Sequence, residues 1–161
     1  MFEAPLVMLD EDHQLIEKVL EQLVADAHAR SAFVIDKTGP LIAEAGELRG
    51  LDTTGLASLT AGVIAATGGL AEIIGEREFP THFHQGQKRH LQMTAVGPRS
   101  VLVVVFDDRS TLGLVRLRSR KAGGQLETIF EKVLEKTAQN PVRPSPLADL
   151  TDEDLDNLLL E

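Results

Sequence analysis

Two short runs constrain this chain more than anything else in it. Val101–Phe106 reads VLVVVF and Ala32–Ile35 reads AFVI, both without the apolar-polar alternation of a half-buried strand. A strand that is apolar on both faces must be covered on both, so these two belong mid-sheet with helices packed on each side. The remaining segments supply covers and edges. Asp10–Ala29 carries Leu15, Ile16, Val19, Leu20, Leu23 and Val24 at helical spacing, with Asp10 or Asp12 as its cap. Ser31–Asp36 and Leu41–Ala45 read as strands joined by a Lys37-Thr38-Gly39 turn. Phe79–Gln85 and Arg89–Val96 read as a hairpin around Gly86, and the VLVVVF strand follows a Gly97-Pro98 turn. Pro80 cannot donate to a ladder, which sends its strand to an edge. Leu112–Thr137 reads as a long helix with Leu112, Val115, Ala122, Leu126, Ile129 and Val133 on its stripe. The expected class is α+β, an α/β/α sandwich. It holds a five-stranded, mostly antiparallel sheet with one helix on one face and two on the other.

The helix expected over Thr53–Gly75 has a different character. Leu56, Leu59, Val63, Ala66, Leu70 and Ile73 fall on one stripe, read as its core face, with Asp52 or Thr53 as its cap and Gly75 at its end. About 200° round the helix lies a second stripe, Ser58, Gly62, Ala65, Gly69 and Glu72, almost without side chains. Three helical glycines, Gly62, Gly68 and Gly69, together cost about 2–3 kcal/mol against alanine. Close approach of another backbone explains that cost. The backbone belongs either to the chain's own strands or to a second molecule. The Pro80 edge strand lies next in sequence to this small-faced helix, so helix and edge together offer a surface through which two copies can pair, extending the sheet across both.

Composition narrows the chemistry. The chain has 161 residues and no cysteine, so disulfides and thiolate chemistry are excluded. A net charge of −9 argues against nucleic acid or an anionic membrane as the main partner. The N-terminus lacks the cationic-then-apolar pattern of a secretory signal. No apolar run is read as a membrane span of ~20 residues, and the expected location is the cytoplasm. There is no G-x-x-x-x-G-K-[ST] phosphate loop, no G-x-S-x-G elbow and no Cys–His pair. His82 and His84 share one strand face. With a two-residue Gly86-Gln87 turn Phe83 pairs with His90, which places His90 on the opposite face. Without a fourth ligand the three read as surface histidines, and no metal or cofactor is expected. Arg116, Arg118, Arg120 and Lys121 form a basic patch, read as a solvated face first and a site for a further protein partner second.

The chain divides into a domain over 1–137, a linker over 138–148 with three prolines, and a tail over 149–161. From Ala138 onward six acids stand against Arg143, giving −5 of the total −9. Thr151 caps a short amphipathic helix on which Leu155, Leu158 and Leu159 share a face. So short a helix is marginal alone in water, which suits a tethered peptide that folds into a partner's groove.

The stretches VIDKTGPLIAEAG and DRSTLGLVRLR, in the order helix, two strands, helix, three strands, helix, resemble the Roadblock (dynein light chain) family. LDTTGLASLTAGVIAATGGLAEIIGEREFP and SPLADLTDEDLDNLLLE are similar to the second helix and the C-terminal segment of a bacterial gliding-motility branch of it. This resemblance implies a homodimer that binds a Ras-like small GTPase of the MglA type and accelerates GTP hydrolysis. By motif position the contact falls on Ala65 and Gly69, and with them on Ser58, Ala61 and Gly62. The GTPase would carry its own catalytic groups, and the activator would have none. The tail, through Leu155, Leu158 and Leu159, would dock on the GTPase elsewhere and affect nucleotide exchange. The implied role is bacterial cell polarity and motility, at a cell pole. The alternative is a dimeric scaffold that binds a GTPase or motor complex without changing its chemistry.

Overall fold

A computed structural model describes residues 8–139. Its elements are α1 (Asp10–Asp26), β1 (Ser31–Asp36), β2 (Leu41–Gly46), α2 (Thr53–Ile73), β3 (Thr81–Gln85), β4 (His90–Val96), β5 (Ser100–Phe106) and α3 (Leu112–Gln139). The strands form one sheet in the order β2-β1-β5-β4-β3, and every neighbouring pair is antiparallel. The expected α+β sandwich is what the chain forms. β1 and β5 are central, as their two-sided apolarity requires: all of β5 and the first five residues of β1 are buried. Pro80 directly precedes β3, an edge strand, and its carbonyl accepts from the Ala95 amide.

Alternation along the central strands sorts the core into two layers. Ala32, Val34, Leu102, Val104 and Phe106 meet α1 and α3 through Ile16, Leu20, Leu23, Val115, Leu126 and Phe130. Phe33, Ile35, Val101, Val103 and Val105 face α2, which contributes Ala57 fully and Leu56, Val63 and Ile64 in part. The first layer is thick, and the second is thinly covered.

Local chemistry fixes the joints. In the β1–β2 turn the Thr38 amide and hydroxyl donate to Asp36 Oδ1 at 2.9 and 2.7 Å, and Gly39 takes a φ of 123° that L side chains rarely adopt. Gly46, at φ 96°, ends β2 where a Cβ would strike the Arg30 carbonyl oxygen. At that end of the sheet Arg30 ties Glu47 at 2.8 Å to Asp107 at 2.9 Å. The Asp107 carboxyl is held well below the usual carboxylate range, first by Arg30 and then by the Arg109 amide and guanidinium. Asp52 caps α2, accepting from the Gly55 amide at 2.9 Å.

Several expectations are corrected. Helix α1 ends at Asp26, because His28 turns to φ 50°. Its N-cap position is Leu9 and not an aspartate; Asp12 instead accepts from the Leu9 amide. Helix α3 runs to Gln139, two residues past its expected end at Thr137. Its buried stripe takes in Ser119, Gly123 and Phe130, while Leu112 and Ile129 are only partly covered. The largest correction concerns α2. Of its expected core stripe, Leu59, Leu70 and Ile73 are 74%, 58% and 82% exposed, and Ala66 is exposed as well. The buried positions are instead Ala57, Thr60, Ala61 and Ala71. Leu56 and Val63 of the expected stripe do pack against the sheet in part, with Ile64, while Leu59, Leu70 and Ile73 point away.

Candidate functional site

The outward side of α2 is continuous and apolar. Leu59, Ala66, Leu70 and Ile73 form a ridge, and beside it run Ser58, Gly62, Ala65 and Gly69, all exposed. A Cβ placed on Gly62, Gly68 or Gly69 would meet nothing within 4 Å. The bareness of this helix is therefore not used by the chain's own strands, which removes one of the two explanations offered by the sequence. Ala61 is the exception among the candidate contact residues. At 9% exposed it sits on the inner flank and presents little surface. With 21 residues, α2 is by length and composition long and apolar enough to cross a membrane, contrary to the expectation from sequence. Here it caps one face of a sheet.

Beside α2 lies β3. Between them opens a cavity of about 270 Å³ lined by Ile64, Thr67, Gly68 and Glu72 of the helix and by Phe79, His82, Ala95 and Val101 across from it. His82 is half-buried there. Burial, and then the charge of His84, lower its pKa, while a hydrogen bond to the Phe79 backbone opposes them. The β3–β4 connection is not the expected two-residue turn. Gln85 pairs with His90, so Gly86–Arg89 form the loop and Phe83 pairs with Gln92. This register differs from the expected one by two residues, and a shift of two preserves faces. His90 accordingly stands opposite His82 and His84. It packs against Phe83 and Phe106 at ring separations of 6.0 and 5.2 Å and accepts the Gly86 amide on Nδ1 at 3.2 Å. Among the described residues no three His, Asp or Glu side chains converge on a metal position.

On the opposite layer Arg116, Arg120 and Lys121 are exposed and Arg118 is half-buried, its Nε without a hydrogen-bond partner. Arg118 and Lys121 line a shallow groove with Val19, Gln22, Leu23 and Asp26 of α1. Leu155, Leu158 and Leu159, together with the expected linker and tail, lie outside the described residues. What the described site offers is a surface: an apolar ridge, a strip of bare backbone and a free strand edge. Sequence periodicity missed Leu59, Leu70 and Ile73 as surface residues. Their size was the misleading signal.

The Roadblock/LC7 domain model matches residues 15–106. Among solved structures, Myxococcus xanthus MglB is 55% identical, with 80% of this chain and 96% of that one covered and a TM-score of 0.75. An MglB with a tetrameric arrangement is 32% identical, with 82% and 99% covered and a TM-score of 0.77. The gliding protein MglB of Thermus thermophilus is 34% identical, with 81% and 99% covered and a TM-score of 0.74. No match was found among curated proteins. The chain belongs to the Roadblock/LC7 family, and MglB gliding-motility proteins are among its solved relatives.

Proposed function

We propose that this protein is a homodimeric activator of a Ras-like small GTPase of the MglA type, acting in bacterial cell polarity and gliding motility from the cytoplasm at a cell pole. One observation carries the proposal: α2, with Glu72 as its single ionisable residue, is covered on one side only among the described residues. Its Leu59–Leu70–Ile73 ridge and its bare strip are both left open. Apolar helix faces of this extent mark interaction surfaces. The ridge and the β3 edge serve the second copy, and the strip Ser58, Gly62, Ala65 and Gly69 of each copy serves the GTPase. Likeness to MglB proteins, one of them in a tetrameric arrangement, supports assembly.

The strip sets the mechanism. α2 contains no arginine or lysine, so it cannot contribute an arginine finger. Phosphoryl transfer needs an oriented water and compensating charge. A surface without such groups accelerates it by binding the switch conformation in which the GTPase's own groups are aligned, and so by population shift. Bare backbone suits this role, because a switch segment's main chain can lie flat against it.

Single-turnover GTP hydrolysis by the cognate GTPase, with and without this protein, is the test. Stimulation by the native protein and its loss in Ala65→Arg/Gly69→Arg, with the dimer and fold intact by light scattering and circular dichroism, are the expected results. Binding without any change in rate would make the protein a scaffold instead. Full stimulation by the double variant would move the contact off this strip.

A further inference from the structure

β3 is the last strand of the sheet, so among the described residues its outer edge has no partner. His82 and His84 sit two apart on it, opposite Met93 and Leu91 of β4, and those two belong to the layer beneath α2. Both imidazoles therefore leave the strand on the α2 face. His82 lines the α2–β3 cavity and is half-buried there, and either ring nitrogen of a neutral imidazole can donate to a metal. His84 is exposed. Among the described residues no third metal-ligating side chain converges on this pair within one protomer.

We propose that two copies joined along β3 build a closed transition-metal site from His82 and His84 of each, taking Zn²⁺. This rests on the dimer proposed above. A two-fold axis perpendicular to the sheet keeps both α2 helices on one side and so keeps all four imidazoles on one face. Full overlap of Thr81–Gln85 with its copy sets Phe83 against the partner's Phe83 and His82 against the partner's His84. Directly opposed residues in such a pair have Cβ atoms about 4.5–5.5 Å apart. Same-face neighbours along a strand lie about 6.6–6.8 Å apart. Imidazoles rising from a rectangle of that size can converge on one ion at the roughly 2.0–2.1 Å of zinc–nitrogen bonds. A slip of two residues keeps the face and leaves only one cross-strand histidine pair; a slip of one is excluded, because it would turn the histidines to the other side. An all-imidazole set selects Zn²⁺, Ni²⁺ or Cu²⁺ over Mg²⁺ or Ca²⁺. Four protein ligands leave no open position, so the site holds structure together and activates no water.

The experiment uses untagged full-length protein stripped with a chelator, titrated with Zn²⁺ by calorimetry while light scattering follows the mass. Expected are one zinc per two chains, the intense visible absorption of tetrahedral Co²⁺ when cobalt replaces zinc, and a higher Tm with metal. His82→Ala/His84→Ala should stay dimeric and lose all three. His84→Ala alone, at an exposed position, should weaken uptake by more than about tenfold, the scale on which even outer-shell losses act. His90→Ala, on the other face, should bind as the native protein does. A native dimer that takes up no zinc, or one whose uptake survives His82→Ala/His84→Ala, overturns the site and leaves the dimer standing. A monomeric native chain overturns the dimer and the site with it.

Discussion

Replacing Gly62 and Gly69 by alanine should move stability and function in opposite directions. Each sits in the middle of α2 on its outward side, and an added Cβ at either meets nothing within 4 Å. The fold therefore gains the ordinary helix-propensity difference of roughly 0.5–1 kcal/mol per site, about 1–2 kcal/mol for the pair. On a domain of this size that raises Tm by roughly 2–8 °C, at about 2–4 °C per kcal/mol. If a GTPase main chain lies against the strip, two new methyls hold it off. Small-to-large changes in a packed contact cost typically ~1–3 kcal/mol, roughly a 5- to 150-fold rise in the concentration giving half-maximal stimulation. The assay pairs a thermal melt with GTP hydrolysis at increasing activator, and light scattering confirms that the dimer persists. A higher Tm with unchanged stimulation would show that the glycines serve nothing outside the protomer. A lower Tm would show that the helix is not open there at all.

Other substitutions probe the scaffold and the tail. Asp107→Asn should destabilise the protein at neutral pH, measured as the urea midpoint. Because Arg30 and Arg109 depress the carboxyl's pKa in the folded state, its contribution is complete above the unfolded value near 4 and fades as pH falls below it. The gap between variant and native protein should then close in acid; equal midpoints at pH 7 would refute the coupling. Gly46→Ala puts a Cβ on the Arg30 carbonyl at a φ of 96°, and strain of this kind costs about 1–3 kcal/mol, read as a lower denaturant midpoint. An unchanged midpoint would mean that the β2 end relaxes freely. Deleting residues 140–161 should leave the dimer whole and alter nucleotide exchange by the GTPase more than hydrolysis. Equal release rates of a fluorescent nucleotide with and without the tail would remove its proposed role.

The sheet was legible because its rules are local and strict. Two-sided apolarity put β1 and β5 at the centre, a proline placed β3 at the edge, and the Asp36–Gly39 turn has side-chain chemistry that only a tight reversal uses. The β3–β4 loop was not legible. Gly86 read as the centre of a two-residue turn, whereas it opens a four-residue loop whose first amide is held by His90 Nδ1. That contact depends on where the His90 ring packs, against Phe83 and Phe106, and therefore on a strand distant in sequence. The histidine faces were nevertheless inferred correctly, because face assignment depends only on whether the register shift is even.

Periodicity failed on α2 for a reason that bears on function. A helical pattern locates a core by contrast between apolar and polar faces, and this helix has almost no polar face: its only ionisable residue is Glu72. With two apolar faces available, the larger side chains suggested the inside. The packing divides them: Ala57, Thr60, Ala61 and Ala71 are buried and Leu56, Val63 and Ile64 partly so, while Leu59, Leu70 and Ile73 point away. In a protomer that had to stand alone, that choice would expose the helix's largest apolar groups to water for no gain. It becomes reasonable once a second cover is supplied from outside the chain, with the bulky ridge filling one interface and the bare strip admitting another. The residues that misled the sequence reading and those that carry the proposed function are two sides of one helix, an arrangement that the proposed assembly accounts for.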